Sequence, residues 1–182
     1  MTIEMWVRSD AAPALAVVSA WFAALLPWNI EFVEVGPDQP VLFLRWPLWQ
    51  VRYAWNVPFA RGIKLDTVLS ALQFQSGTSI AQAYTVWLGG AIVVLVAIGL
   101  SVGWFADEDA IYDLPIPWHP VRLMGGLLAV ATALFVLSTV LLYTRGFGGI
   151  PIPIGLLVTA ILATVLLVAD IEPQPTADPD KA

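Results

Sequence analysis

Long uncharged apolar runs alternate along this chain with one extended segment that mixes polar and aromatic residues. A run of about 18 or more such residues is a candidate to cross a bilayer as a helix. Four runs qualify, at about residues 11–28, 78–105, 121–144 and 152–169. The second stops at Asp107-Glu108-Asp109, and the third follows the breaker-rich Leu114–Pro120. The fourth is entered through Arg145-Gly-Phe-Gly-Gly149 and the prolines Pro151 and Pro153, so helices three and four are expected to form a tight antiparallel hairpin. Ser9 or Asp10 is placed to cap the first run, with Pro13 tolerated in its opening turn. That run reads as a retained helix and not as a cleaved leader. The residues before it, with Glu4, Arg8 and Asp10, lack net positive charge, and Trp and Pro stand where small cleavage-site residues belong.

Between the first two runs, residues 29–77 show a different period. Trp49, Val51, Tyr53 and Trp55 alternate with Gln50, Arg52 and Ala54, the period of two of a half-buried strand. Val41–Trp46 is apolar enough for a second strand, and Ile30–Val35 for a third, joined to it through Gly36-Pro-Asp-Gln-Pro40. A three-stranded meander is therefore expected, followed by a short amphipathic helix over about 66–75 that Asp66 would cap. The rings of Phe43, Trp46, Trp49, Tyr53, Trp55 and Phe59 crowd this unit. Two readings stay open: a β-element laid on the bilayer surface or over the helices with snorkelling arginines, or a face presented to a partner protein.

Small residues recur at helical spacing inside the runs: Ala16 and Ala20 in the first, Gly99 and Gly103 in the second, Gly125 and Ala129 in the third, Gly155 and Thr159 in the fourth. Because lipid offers no hydrophobic push between helices, small residues that let backbones approach are what a bundle would use. They are the candidate helix-packing positions.

Composition sharpens this picture. Of 182 residues 59% are hydrophobic and only 12% charged, and mean hydropathy is +0.79. A soluble domain carries about twice that share of charge. The absence of cysteine excludes disulfides and thiolate chemistry. A pI near 4.5 and the lack of a basic stripe argue against nucleic acid as a partner. None of the four runs contains an ionisable Asp, Glu, Lys, Arg or His in its interior, which weighs against proton relays and ion-coupled carriers. The hydroxyls of Thr85, Thr132 and Thr139 are expected to bond back along their helices, although with Gln82 they would line the cavity of a transporter. His119, between Trp118 and Pro120, reads as an interfacial turn residue; with Arg122 it is the place for lipid chemistry if there is any. No catalytic, cofactor or metal residue is assigned. Five of the eight basic residues fall on the long-loop side and three on the side of the termini, so the positive-inside rule places the long loop in the cytoplasm and both termini outside. The Pro-rich acidic tail, 170–182, is expected to be disordered.

Several segments carry a family likeness. Met5-Trp-Val-Arg-Ser9, Ala16–Trp28, Gln50-Val-Arg-Tyr53, Pro58-Phe-Ala-Arg-Gly62 and Arg145–Pro153 resemble an uncharacterised group of haloarchaeal multi-pass membrane proteins, a domain of unknown function. The resemblance implies a membrane location and a halophile, and no activity. Two lysines against fourteen acids suit such a source, where molar salt cuts the Debye length to about 3 Å and surface ion pairs contribute little.

The chain is thus expected to be an all-α membrane protein: a four-transmembrane-helix bundle with a small β-containing loop domain between helices 1 and 2, forming one integral membrane domain over 1–169. Its expected role is that of a non-enzymatic accessory or scaffold component. Trp46, Trp49, Arg52, Tyr53 and Trp55 would contact a membrane-protein partner, a second copy or the bilayer. An oligomeric small-solute transporter or channel is the alternative.

Overall fold

The structure is a computed structural model that describes residues 11–57, 62–107, 111, 118–146 and 149–169. Along these residues run α1 (Ala12–Leu25), β1 (Asn29–Glu34), β2 (Pro40–Arg45), β3 (Trp49–Ala54), β4 (Gly62–Thr67), α2 (Val68–Phe74), α3 (Ala81–Ala106), α4 (Pro120–Arg145), β5 (Ile150–Ile152) and α5 (Ile154–Val168). The five strands form one antiparallel sheet in the order β4-β3-β2-β1-β5.

This overturns the expected all-α, four-transmembrane-helix bundle. Among the described residues there are five helices and a five-stranded sheet, and two helices, α3 and α4, are long and apolar enough to cross a membrane. Each has 26 residues, about 39 Å at 1.5 Å per residue, whereas α1 and α5 have 14 and 15 residues. The outer apolar runs are shortened from their sheet ends. After Leu25 the backbone turns extended at Leu26, and Pro27 and Trp28 lead straight into β1. Ile152, at the head of the fourth run, belongs to β5, and α5 opens only after Pro153. Apolar composition continues through both junctions, so hydropathy cannot mark where helix becomes strand.

The expected meander is enlarged at both edges. β4 adds itself to β3, in register from Trp49–Thr67 to Ala54–Gly62. The helix after it begins at Val68, capped by Thr67, whose Oγ1 accepts the Ser70 N–H at 3.2 Å; Asp66 instead ends the strand's inward face. The fifth strand comes from far along the chain, with Ile150 and Ile152 paired to Phe32 and Ile30. Between β1 and β2, Gln39 N–H reaches the Gly36 carbonyl at 3.0 Å, and Asp38 takes φ +57°, the left-handed value a type II turn needs after its proline.

The helices α1, α3, α4 and α5 pack together around two clusters of buried side chains. Since β1 follows α1, α2 leads into α3, and β5 lies between α4 and α5, the sheet sits at one end of the helical layer. Indoles tie the two parts together. Trp28 Nε1 and Trp87 Nε1 both donate to the Trp46 carbonyl at 3.2 Å, Trp87 Nε1 also to that of Pro47 at 2.8 Å, and Trp46 Nε1 to that of Leu25 at 3.0 Å. Trp28 stacks on Phe135 of α4 with centroids 5.1 Å apart.

Candidate functional site

Strand alternation sorts the sheet into two unlike faces, and their polarity is inverted. The inward face carries most of the strand charges in two rows, followed by the apolar row Val33, Val41 and Ala54. Asn29, Arg45, Gln50 and Asp66 stand side by side across β1 to β4, and Glu31, Phe43, Arg52 and Lys64 form the next row. The outward face carries two apolar rows, with the exposed Glu34 beyond them at the end of β1. One row runs Ile152, Ile30, Leu44, Val51 and Leu65, the next Ile150, Phe32, Leu42, Tyr53 and Ile63. Ile63 is 74% exposed, Ile150 70% and Leu65 68%.

Two of the inward charges, Arg45 and Glu31, are held in a buried network. Arg45 and Glu31 are each 1% exposed and pair diagonally across β1 and β2, Nη1 to Oε2 at 2.6 Å. Nη1 also donates to Asn29 Oδ1 at 2.9 Å, and Nη2 to the Tyr84 hydroxyl of α3 at 3.4 Å. The guanidinium lies 4.8 Å from the Phe43 ring centroid. Burial alone would lower its pKa, but the facing Tyr84 hydroxyl and Glu31 carboxylate outweigh this, and the net shift is upward. Three buried atoms of the row have no hydrogen-bond partner: Asn29 Nδ2, Arg45 Nε and Gln50 Oε1.

Beside the network, between the inward sheet face and α2, lies a cavity of about 180 Å³. Its floor is the apolar cluster Val33, Val41, Phe43, Ala54 and Val57. Gln50, Arg52, Asp66, Phe74 and Gln75 complete the wall, with Val35 at the rim. Arg52 lies over the Phe74 ring at 5.9 Å, and Lys64 holds Asp66 at 3.0 Å. Gln75, buried at the end of α2, accepts from Thr78 Oγ1 at 3.3 Å.

The five residues expected to meet a partner are split by this geometry. Trp49 and Tyr53 are on the outward face, and Trp55 continues it, its ring 4.1 Å from that of Tyr53. Arg52 points inward to Phe74, and Trp46 is a strap between sheet and α1. Of the helix-packing positions, Ala16 and Ala20 are fully buried. A Cβ on Gly125 would meet Leu166 Cβ at 2.9 Å, and one on Gly155 would collide with the Pro27 carbonyl oxygen. Thr159 is buried and bonds back to the Gly155 carbonyl at 2.9 Å. Ala129 is half-buried, and a Cβ on Gly103 would touch Ile111 at 3.2 Å. Gly99 faces outward with nothing within 4 Å. Thr85, Thr132 and Thr139 bond back to Ala81, Leu128 and Phe135, and Gln82 is bonded to Arg145. His119 is the N-cap of α4, Nδ1 accepting the Val121 N–H at 3.3 Å. The Ser9/Asp10 cap, Phe59 and Arg61, the acidic residues Glu108, Asp109 and Asp113, and the tail 170–182 lie outside the described residues.

The Arg45–Glu31 pair, Asn29, Tyr84 and Gln50 were not singled out as a site by sequence reasoning. The available signal was one arginine inside the apolar run Val41–Trp46, matched by Glu31 inside Ile30–Val35. In the comparisons with known proteins, the model of a family of unknown function, DUF7549, matches residues 5–171. No curated protein matches the chain.

Proposed function

The chain belongs to DUF7549, a family of unknown function, and on the geometry of its sheet we propose that it is a membrane-anchored, non-enzymatic docking component. In this reading α3 and α4, each with mean hydropathy 2.3, anchor it. The outward sheet face receives a partner protein, and the multi-pass, haloarchaeal character implied by resemblance goes with that setting.

The observation that carries the proposal is the inverted polarity. A sheet with one free face ordinarily turns its charges to water and its apolar residues inward. Here two complete rows of apolar side chains face out, while one ion pair, Arg45 with Glu31, is held inside by a dedicated network. A contiguous apolar face of this kind marks an interaction surface. Trp49 and Tyr53, rigid aromatic residues of the type that anchors interfaces, belong to it.

A chain free of cysteine makes the test direct. Single Cys residues at Val51 and Ile63 carry nitroxide labels in native membranes, with Leu95 on α3 as the lipid reference. The proposal expects both sheet labels to be shielded from dissolved oxygen and from a water-soluble relaxant alike, as in protein packing. Replacing Trp49 and Tyr53 by Ala should release the partner, at least about thirtyfold in affinity if each is an anchor. Access to oxygen alone would mean that the face lies in lipid, and access to the aqueous relaxant that nothing covers it. Either result overturns the docking role.

A further inference from the structure

We propose that the open edge of β4 pairs with the β4 edge of a second copy of this chain, antiparallel about a two-fold axis at Leu65, so that two sheets join into one. The inference does not depend on what covers the outward face.

The two edges of the sheet are built differently. β5 is three residues long with Pro151 at its centre, the short, proline-blocked form that prevents further pairing. β4 is six residues long, contains no proline and keeps an unbroken register with β3. Among the described residues no strand lies beyond it. Its edge-facing backbone groups follow from the hydrogen bonds of β3. Trp55 N–H donates to the Pro40 carbonyl of β2 and Val68 N–H to the Leu48 carbonyl, each at 3.0 Å. Alternation along β3 therefore turns Gln50, Arg52 and Ala54 toward β4, where they meet Asp66, Lys64 and Gly62. The N–H and C=O groups of Ile63 and Leu65, and the Thr67 N–H, face the open edge. The Thr67 carbonyl already accepts from Ser70 Oγ at 3.0 Å.

The sequence of this edge selects a second copy as its partner. Set antiparallel about Leu65, β4 is its own complement: Leu65 opposes Leu65, Ile63 opposes Thr67, and Lys64 opposes Asp66. The Leu65 pair exchanges two backbone hydrogen bonds, and each Thr67 N–H reaches the Ile63 carbonyl of the other copy. Lys64 and Asp66 fall at the closer, non-hydrogen-bonded positions. Each half-exposed ammonium, 3.0 Å from Asp66 of its own chain, then also meets the carboxylate of the other copy. A two-fold about Lys64 would set two ammonium groups against each other, and one about Ile63 would leave each facing Gly62. With the axis perpendicular to the sheet, both helical layers stay on one side of it. The outward apolar row that ends at Leu65 runs on through the second copy.

Two differently tagged full-length copies are expressed together, and native membranes are oxidised with copper-phenanthroline; the chain has no cysteine of its own. In the proposed register the two Leu65 Cα atoms lie about 5.5 Å apart, within disulfide reach. The two Ile63 Cα atoms are about 14 Å apart. Leu65→Cys should therefore form a disulfide dimer about tenfold faster or more than Ile63→Cys, although Ile63 is the more exposed. Adding Lys64→Glu to both copies should cut that rate about tenfold, as two like-charge pairs replace two opposite ones. Lys64→Glu on one copy with Asp66→Lys on the other should restore it. Leu65→Pro is the second variant if Asp66→Lys does not fold. The N–H it removes points away from β3, so the fold should stay while the two tags, which co-purify from wild type in mild detergent, separate. No faster reaction at Leu65→Cys than at Ile63→Cys, a rate indifferent to Lys64→Glu, a folded complementary pair that does not restore it, or tags that co-purify despite Leu65→Pro would overturn the proposal.

Discussion

At the scale of single residues, the inward network sets the largest penalties. Arg45 and Glu31 are removed from water together, and their attraction offsets a desolvation cost that each alone could not meet. Glu31→Ala leaves a buried guanidinium facing Asn29 and Tyr84 only. It should destabilise the fold by about 3–5 kcal/mol, whereas Glu31→Leu with Arg45→Met, which removes both charges, should recover most of that loss. Denaturant unfolding of the three proteins in micelles checks this, and equal losses in the single and double variants would contradict it. His119 gives a pH-dependent counterpart. Burial, aided by the Arg122 guanidinium, holds its pKa below the ordinary 6.5, and its cap on Val121 requires a ring nitrogen free to accept. The folded state therefore prefers the neutral ring. Its contribution is complete above pH 6.5 and is lost as pH falls through the depressed folded-state value. Thermal midpoints should fall on acidification below pH 6.5. His119→Ala should cost about 0.5–1 kcal/mol at pH 8 and flatten that part of the profile.

At the scale of elements, two glycines separate packing from composition. Gly155 opens α5 directly against the Pro27 carbonyl at the end of α1, with no room for a Cβ. Gly99 lies on the open flank of α3. Gly155→Ala should therefore cost about 1–3 kcal/mol through backbone displacement, and Gly99→Ala should be neutral or stabilise by up to about 1 kcal/mol through helix propensity. Unfolding midpoints of the pair decide it. In sequence both sit in small-residue stripes and look alike, because spacing reports which residues share a face and not what the face meets. The same limit governs the sheet. The alternation of Trp49–Trp55 was legible, being local and periodic. β4, with Ile63 and Leu65 alternating against Lys64 and Asp66, was legible in principle, but the helix expected over 66–75 took its last two residues and left Gly62–Leu65 without an element. β5 was not legible, for three residues split by Pro151 become a strand only through pairing with Ile30 and Phe32 far upstream. The site was hidden for a related reason. Whether Arg45 faces in or out depends on which side of the sheet the helices cover, and Tyr84 reaches it from another element altogether.

At the scale of the whole molecule, the chain path fixes which parts share an end. The sheet, the start of α3, the end of α4 and the start of α5 gather at one pole, and Asp107 and Trp118 lie at the far ends of α3 and α4. Each of these helices is about 39 Å long, enough to cross a hydrocarbon core of about 30 Å. They also expose apolar flanks, with Leu95, Val96 and Val102 on α3 and Val136, Leu137 and Val140 on α4 among the exposed residues. If α3 and α4 span, Cys at Thr67 and at Thr144 must react with a membrane-impermeant maleimide from one side of the membrane, and Cys at Asp107 and Trp118 from the other. The charge bias of the sequence expects the Thr67 side to be cytoplasmic, which the same sites in sealed cells report. Opposite labelling of the two poles, whichever faces inward, supports spanning by the two long helices. Labelling of all four sites from a single side would show that α3 and α4 do not cross, and it would leave their exposed flanks to be covered by protein, extending the apolar contact surface from the sheet along the whole molecule.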